Sequence, residues 1–197
     1  MTKRFFDACA SGAGLLVLSP VLLLIAILIR LDSRGPVFFR QERVGQFGRV
    51  FRIHKFRTMV VDAERRGMQI TVGADPRVTR VGTFLRRYKL DELPQLIDVV
   101  LGRMSLVGPR PEVPRYVACY PRDVKDLVLS VRPGITDRAS IEFKDENEIL
   151  GRAADPHRAY VEEVLPIKLG YYVAYVKNRS LFGDIGIIFS TLLAIVR

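Results

Sequence analysis

One uncharged apolar run, Ala8 to Ile29, constrains this chain more than anything else in it. Its 22 residues match the roughly 20 needed to cross a bilayer as a straight helix. A cleaved signal peptide would need a small-residue site after the apolar core. Here the run ends Ile27-Leu28-Ile29-Arg30, so that reading is set aside. A straight span is the default for such hydropathy, but two features oppose it. Ser19-Pro20 sits in mid-run, where proline removes a helix hydrogen bond and clashes with the preceding turn. Both flanks are basic, with Lys3 and Arg4 before the run and Arg30 and Arg34 after it. Basic flanks favour the cytoplasmic side, so both ends belong on one side and the segment enters and returns. A helix–break–helix bent at Ser19-Pro20 does this, with the serine hydroxyl serving backbone groups that the proline frees.

The charge is placed as unevenly as the hydropathy. The chain of 197 residues carries +10, and residues 30–116 hold 18 Lys+Arg against 9 Asp+Glu. Residues 117–197 are balanced, 11 against 11. A local basic excess implies an anionic partner: lipid headgroups, a phosphate-bearing substrate or nucleic acid. Two cysteines, Cys9 and Cys119, form no CxxC pair, which argues for a reducing compartment. His54 and His157 have no zinc-type spacing to those cysteines and read as ordinary polar residues.

The length suits one domain with a real core. Residues 36–56 read as two strands flanking a turn that holds Gly45 and Gly48, a small β-hairpin. Residues 62–66 suit one helical turn, and 67–74 a loop. Asp75-Pro76 reads as a helix start, with Asp75 as N-cap, followed by Val78, Val81, Leu85 and Tyr88 at helical spacing. A second helix is expected from Leu90, with Asp91 as its N-cap, Pro94 in its first turn and Gly102 as its stop. Asp91 and Glu92 would then stand at a helix N-terminus, which attracts phosphate and favours ionised carboxylates. An acidic pair there is also ordinary capping. In Gly108-Pro109-Arg110-Pro111-Glu112, two prolines restrict Arg110, which suits a fixed fork for phosphate oxygens. Arg132-Pro133-Gly134 reads as a turn, 142–148 as a solvated acidic stretch, and 161–178 as a helix. Residues 181–196 are apolar but too short to span comfortably, so they read as a core or interfacial helix.

Taken in order, these motifs resemble the bacterial sugar transferase family, the monotopic phosphoglycosyl transferases. The resemblance rests on Lys3-Arg4-Phe5-Phe6-Asp7, Ser19-Pro20, Gly35-Pro36-Val37-Phe38-Phe39-Arg40-Gln41-Glu42-Arg43-Val44-Gly45 and Lys55-Phe56-Arg57-Thr58-Met59. It continues with Leu90-Asp91-Glu92-Leu93-Pro94-Gln95-Leu96, Met104 to Glu112, and Arg132-Pro133-Gly134-Ile135-Thr136. One departure is Asp137, where many relatives carry glycine after Gly-Ile-Thr. The resemblance implies an α+β fold, mostly helical, with an anchor at 1–34 and a cytoplasmic catalytic domain at 35–197. It implies an enzyme at the cytoplasmic face of the bacterial inner membrane, among membrane lipids. That enzyme transfers a phosphosugar from a UDP-sugar to undecaprenyl phosphate and releases UMP, with no nucleic-acid partner. The matching Asp91-Glu92 pair is the family's catalytic dyad, and magnesium its metal, held by Asp91 or Glu92.

On that reading Asp91 attacks the sugar-bearing phosphorus and Lys55, Arg86 and Arg110 face the developing phosphoryl charge. Glu92 either ligates the metal or positions the acceptor. A basic, membrane-anchored binding module for anionic lipid or nucleic acid is the competing expectation. It accounts for the charge and the anchor, but not for the proline-framed arginine and the Asp-Glu pair occurring together.

Overall fold

A computed structural model describes residues 2–63 and 75–196. Most of the expected helical turn at 62–66 and the whole of the expected loop at 67–74 fall outside the described residues. The long helix α1, Thr2–Asp32, is helical throughout. Pro20 has no N–H for the Leu16 carbonyl, and Ser19 Oγ donates to that carbonyl at 2.7 Å instead. The interruption expected at Ser19-Pro20 therefore takes the form of one substituted hydrogen bond within a continuous helix.

Both ends of α1 lie against the rest of the chain. Near its start, Asp7 accepts from Ser105 Oγ at 2.6 Å, and Lys3 pairs with Asp184 at 2.5 Å. Near its end, Ile25 and Ile29 are buried with Phe56 and Leu85. Arg57 fastens the exit, its guanidinium donating to the Ser33 carbonyl at 2.8 Å, to the Ser33 hydroxyl at 2.8 Å and to the Pro36 carbonyl at 2.6 Å. The other face of the helix, including Leu16, Val17, Leu23, Leu24, Ile27 and Leu31, is exposed.

Strands β1, Phe38–Val44, and β2, Val50–Phe56, form the expected antiparallel hairpin. Its turn passes through Phe47 and Gly48, both at positive φ. Helix α2, Arg80–Arg87, starts later than Asp75. The reason lies in residues 77–79, which pair with 58–60: Val60 N–H donates to the Arg77 carbonyl, Thr79 N–H donates to the Thr58 carbonyl, and Met59 and Val78 form a bridge. An extended backbone there excludes helix, and Thr79 becomes the N-cap by accepting from the Gly82 N–H. Gly82 permits the contact, since a Cβ there would lie 2.1 Å from the Thr58 carbonyl oxygen.

Leu90–Glu92 form a 3-10 turn, and helix α3 occupies only Gln95–Val100. Asp91 is therefore not the N-cap of a longer helix, and Pro94 takes the capping position without a side-chain bond. Gly102, at φ 78°, ends the segment as expected. A second sheet pairs β3, Ser105–Val107, in parallel with β4, Gly134–Thr136. Gly134 thus opens a strand rather than closing a turn. The two chains touch so closely that a Cβ on Gly134 would lie 2.1 Å from the Gly108 nitrogen.

Six helices follow: α4 at Pro114–Val117, α5 at Arg122–Val128, α6 at Arg138–Glu142, α7 at Glu146–Gly151, α8 at Pro156–Ala159 and α9 at Leu165–Asn178. A π-helical turn, Tyr160–Val164, leads into α9. Their shared core holds Tyr116, Tyr120, Val128, Leu150, Tyr160, Leu165 and Tyr172. The last helix, α10 at Leu181–Val196, exposes Phe182, Phe189 and Leu192.

Candidate active site

The dyad is presented by a tight reversal. Lys89 stands in the left-handed region at φ 54°, which turns the chain out of α2 and into the 3-10 turn. Helical bonding here is short-range, so Asp91 and Glu92 project from a compact knuckle. Lys55 reaches them from β2 and Arg110 from the loop after β3.

Glu92 is clamped. Lys55 Nζ donates to its Oε1 at 2.8 Å, Arg110 Nη2 donates to the same oxygen, and Arg110 Nη1 donates to Oε2 at 3.2 Å. Burial alone would disfavour its charge, but Arg110 and Lys55 outweigh burial and hold the carboxyl well below the usual range. Glu92 is consequently an anion across the physiological pH range. The Asp91 side chain is buried, and among the described residues its carboxylate accepts no hydrogen bond. Burial pushes it above the ordinary aspartate range, against the opposing pull of Lys55 and Arg86. Two adjacent carboxylates are thus driven apart: one is locked as an anion, the other is unbonded and harder to ionise. Such divergence separates roles at reactive centres.

The loop bearing Arg110 is held from several sides. Val44 N–H donates to the Glu112 carbonyl at 2.9 Å, and Arg43 Nη1 donates to the Pro111 carbonyl at 3.0 Å. Gly134 N–H donates to the Pro109 carbonyl at 2.9 Å. The Glu112 side chain accepts from Tyr160 at 2.6 Å. Arg86, from α2, donates from Nε to Thr58 Oγ1 at 2.8 Å.

Of the five residues singled out in the sequence, Lys55, Glu92 and Arg110 are bonded together, Asp91 adjoins Glu92, and Arg86 acts on Asp91 electrostatically. Arg110 is more than a surface arginine, because its partner is Glu92, whose side chain is only 12% exposed. Thr58, Arg43 and Glu112 were passed over as site residues. Thr58 and Arg43 lay inside motifs already quoted, and Glu112 ends the proline-framed motif. Their signal was present, but their roles depend on contacts that spacing does not reveal. His54 is a structural residue here: its N–H and ring Nδ1 both meet the Asp98 carboxylate at 2.8 Å. Asp137 caps α6 by accepting from Ser140 N–H, which gives an aspartate in place of glycine a local reason.

Among the described residues, no three His, Cys, Asp or Glu side chains gather as a metal cage. Magnesium does not require one, since it is held by one or two carboxylates together with substrate phosphates. The unbonded carboxylate of Asp91 fits that pattern. Glu92 fits it less well, because both of its oxygens already accept from cations.

Comparison with known proteins gives a consistent picture. A family model described as bacterial sugar transferase matches residues 1–197. The UDP-N-acetylgalactosamine-undecaprenyl-phosphate N-acetylgalactosaminephosphotransferase of Aeromonas hydrophila is 40% identical over 98% of this chain. The UDP-glucose:undecaprenyl-phosphate glucose-1-phosphate transferase of Escherichia coli K12 is 38% identical over 97%. The chain spans only 43% and 39% of those two proteins. It spans 94% of the exopolysaccharide production protein PSS of Rhizobium leguminosarum bv. phaseoli, at 39% identity.

Proposed function

This chain belongs to the bacterial sugar transferase family, and on that premise we propose that it moves a sugar phosphate from a UDP-sugar to undecaprenyl phosphate. The observation that carries the reading is the divided dyad: Glu92 fixed between Lys55 and Arg110, with the Asp91 carboxylate beside it accepting no hydrogen bond among the described residues. In the first step an Asp91 oxygen forms a bond to the sugar-bearing phosphorus while the phosphorus–oxygen bond to UMP breaks. In the second, an oxygen of the lipid phosphate attacks that phosphorus and the Asp91 carboxylate departs. The products are UMP and undecaprenyl-diphosphate-sugar. Lys55, Arg86 and Arg110 counter the charge that spreads over the phosphoryl oxygens. Glu92 keeps Lys55 and Arg110 in register. Magnesium, held by Asp91 with Glu92 nearby, would neutralise part of the diphosphate charge.

The anchor is read as monotopic, at the cytoplasmic face of the inner membrane. A 31-residue helix is about 46 Å long at 1.5 Å per residue, more than a hydrocarbon core needs. The same domain is bonded to both of its ends, at Asp7 and at Asp32, whose carboxylate accepts from Val81 N–H. Crossing the bilayer would strip one set of contacts. Lying against the domain with Leu16, Val17, Leu23, Leu24 and Ile27 outward keeps both and offers an apolar face to lipid.

The test is order of addition. Enzyme given UDP-sugar and magnesium alone should release a burst of UMP no larger than the amount of enzyme. It should leave a hydroxylamine-labile phosphosugar on the peptide containing Asp91. UMP release only when both substrates are present, with no adduct, would replace the two-step path with direct transfer. A binding module for anionic lipid or nucleic acid would release no UMP from any UDP-sugar, and Asp91→Asn would leave its ligand affinity intact.

A further inference from the structure

A second concave site lies at the other end of α3. Its cavity of about 520 Å³ opens between the start of α1 and the junction of α9 with α10. That volume falls within the usual range for small-ligand pockets. Lys3, Arg4, Arg132 and Arg179 line it, with Ser105 and Ser180 between them. None of Lys55, Asp91, Glu92 or Arg110 does.

The charges in this lining are unequally engaged. Asp7, its one carboxylate, is bonded to Ser105 Oγ at 2.6 Å and lies 3.7 Å from Lys3. Arg4 donates to the last carbonyls of α3, Val99 at 2.5 Å and Val100 at 2.8 Å, which fixes its guanidinium in place. Arg132 is fixed by Nε alone, donating to the Gly102 carbonyl at 2.8 Å. Its two terminal nitrogens, and the whole guanidinium of Arg179, meet no acceptor among the described residues. A half-fixed arginine fork with its outer nitrogens spare is pre-organised for a tetrahedral oxyanion. Phe5, next to Arg4 in sequence, is 73% exposed, and Phe182, next to Leu181, is 88% exposed.

We propose that this cavity binds a phosphate ester through Arg132 and Arg179, separately from the donor site at the dyad. The ester is either the headgroup of an anionic membrane lipid, whose chains would lie on Phe5 and Phe182, or a soluble phosphate.

Calorimetric titration of the full chain in an uncharged detergent tests this. The probes are dihexanoylphosphatidylglycerol below its micellar concentration and, in a second arm, glycerol phosphate. Saturable one-to-one binding is expected. Arg179→Gln and Arg132→Gln should each weaken it about tenfold, as loss of one charged hydrogen-bonding partner does. Arg115→Gln and Arg152→Gln, which remove equal charge from exposed positions elsewhere, should leave it unchanged. Arg110→Ala should also leave it unchanged. Tight binding of the lipid with weak binding of glycerol phosphate identifies a membrane headgroup, whereas equal binding identifies a soluble phosphate. The proposal is overturned if neither probe saturates, if all four glutamine variants weaken binding alike, or if Arg110→Ala removes it. Arg179 is exposed, so its variant decides the matter even if Arg132→Gln fails to fold.

Discussion

Two largely enclosed glutamates, Glu92 and Glu112, are held between cations in much the same way, yet their surroundings differ. Glu92 lies between Lys55 and Arg110. Glu112 accepts from Tyr160 at 2.6 Å, with Lys168 3.7 Å away. Burial opposes ionisation of both, and cations overcome it in both: Arg110 and Lys55 for Glu92, Lys168 and Arg43 for Glu112. The surroundings differ. Around Glu112 each neighbouring carboxylate has a donor, with Glu146 taking Lys168 at 2.8 Å and Asp137 taking Ser140. Beside Glu92 stands Asp91, whose carboxylate has none among the described residues. Burial and perturbed ionisation alone do not separate a reactive centre from a structural one. On the proposed function, the unbonded member beside a satisfied pair does.

The comparison breaks most sharply at Asp91. Asp91→Asn should lower UMP release by at least about 10³-fold, the scale of losing a nucleophile. Its thermal unfolding midpoint should not fall, because no bond is lost and a buried charge is removed. A variant that melts early would make Asp91 structural, like Glu112. Arg110→Ala comes next, with turnover lower by about 10²-fold or more, the scale of losing one group that faces developing charge. Unlike a surface arginine it should also cost stability, since Glu92 loses two hydrogen bonds. Arg110→Lys should restore turnover only in part, as a point charge cannot reproduce the fork.

Glu112→Gln should reverse that profile. Removing the anion between Tyr160, Lys168 and Arg43 should cost about 2–3 kcal/mol of stability, read by denaturant titration, because it leaves buried cations less compensated. Turnover per folded molecule should change less than about tenfold. Loss of turnover without loss of stability would move Glu112 into the reactive centre.

Much of this arrangement is legible in sequence, and unevenly so. The hairpin announces itself by strand residues around a glycine turn, and α9 and α10 by long apolar periodicity. Lys55, Asp91, Glu92 and Arg110 are within reach because each sits in a compact motif with its own chemistry, whereas Arg86 is marked only by standing five residues before Asp91. Element boundaries were harder. Asp75-Pro76 has every local mark of a helix start, yet pairing of 77–79 with 58–60 overrides it, and pairing partners so far apart leave no local trace. The same holds for β3 and β4, each three residues long and joined only by tertiary contact. Leu90 to Leu96 reads as one helix because 3-10 and α turns share side-chain spacing at this length. The clamp on Glu92 was invisible for another reason: sequence gives Lys55 and Arg110 as cations, but not which carboxylate they choose.

That choice yields the smallest effect and the finest discrimination. If Asp91 is the nucleophile, only its ionised form reacts, so turnover falls as pH drops through its folded-state pKa. Burial raises that pKa above the ordinary aspartate value of about 3.9, so the acid limb of kcat/KM should lie at higher pH than an exposed aspartate would give. Lys55 is the strongest of the cations pulling the value back down. Lys55→Gln removes that pull, so the remaining activity should show an acid limb displaced further upward. Lys168→Gln removes a lysine from the Glu112 region and should leave the limb where it was, whatever it costs in stability. Glu92 cannot produce this limb, because Arg110 and Lys55 hold it ionised well below the range concerned. An acid limb that stays fixed in Lys55→Gln, or moves in Lys168→Gln, would assign the titrating group elsewhere and dissolve the distinction between the two glutamate regions.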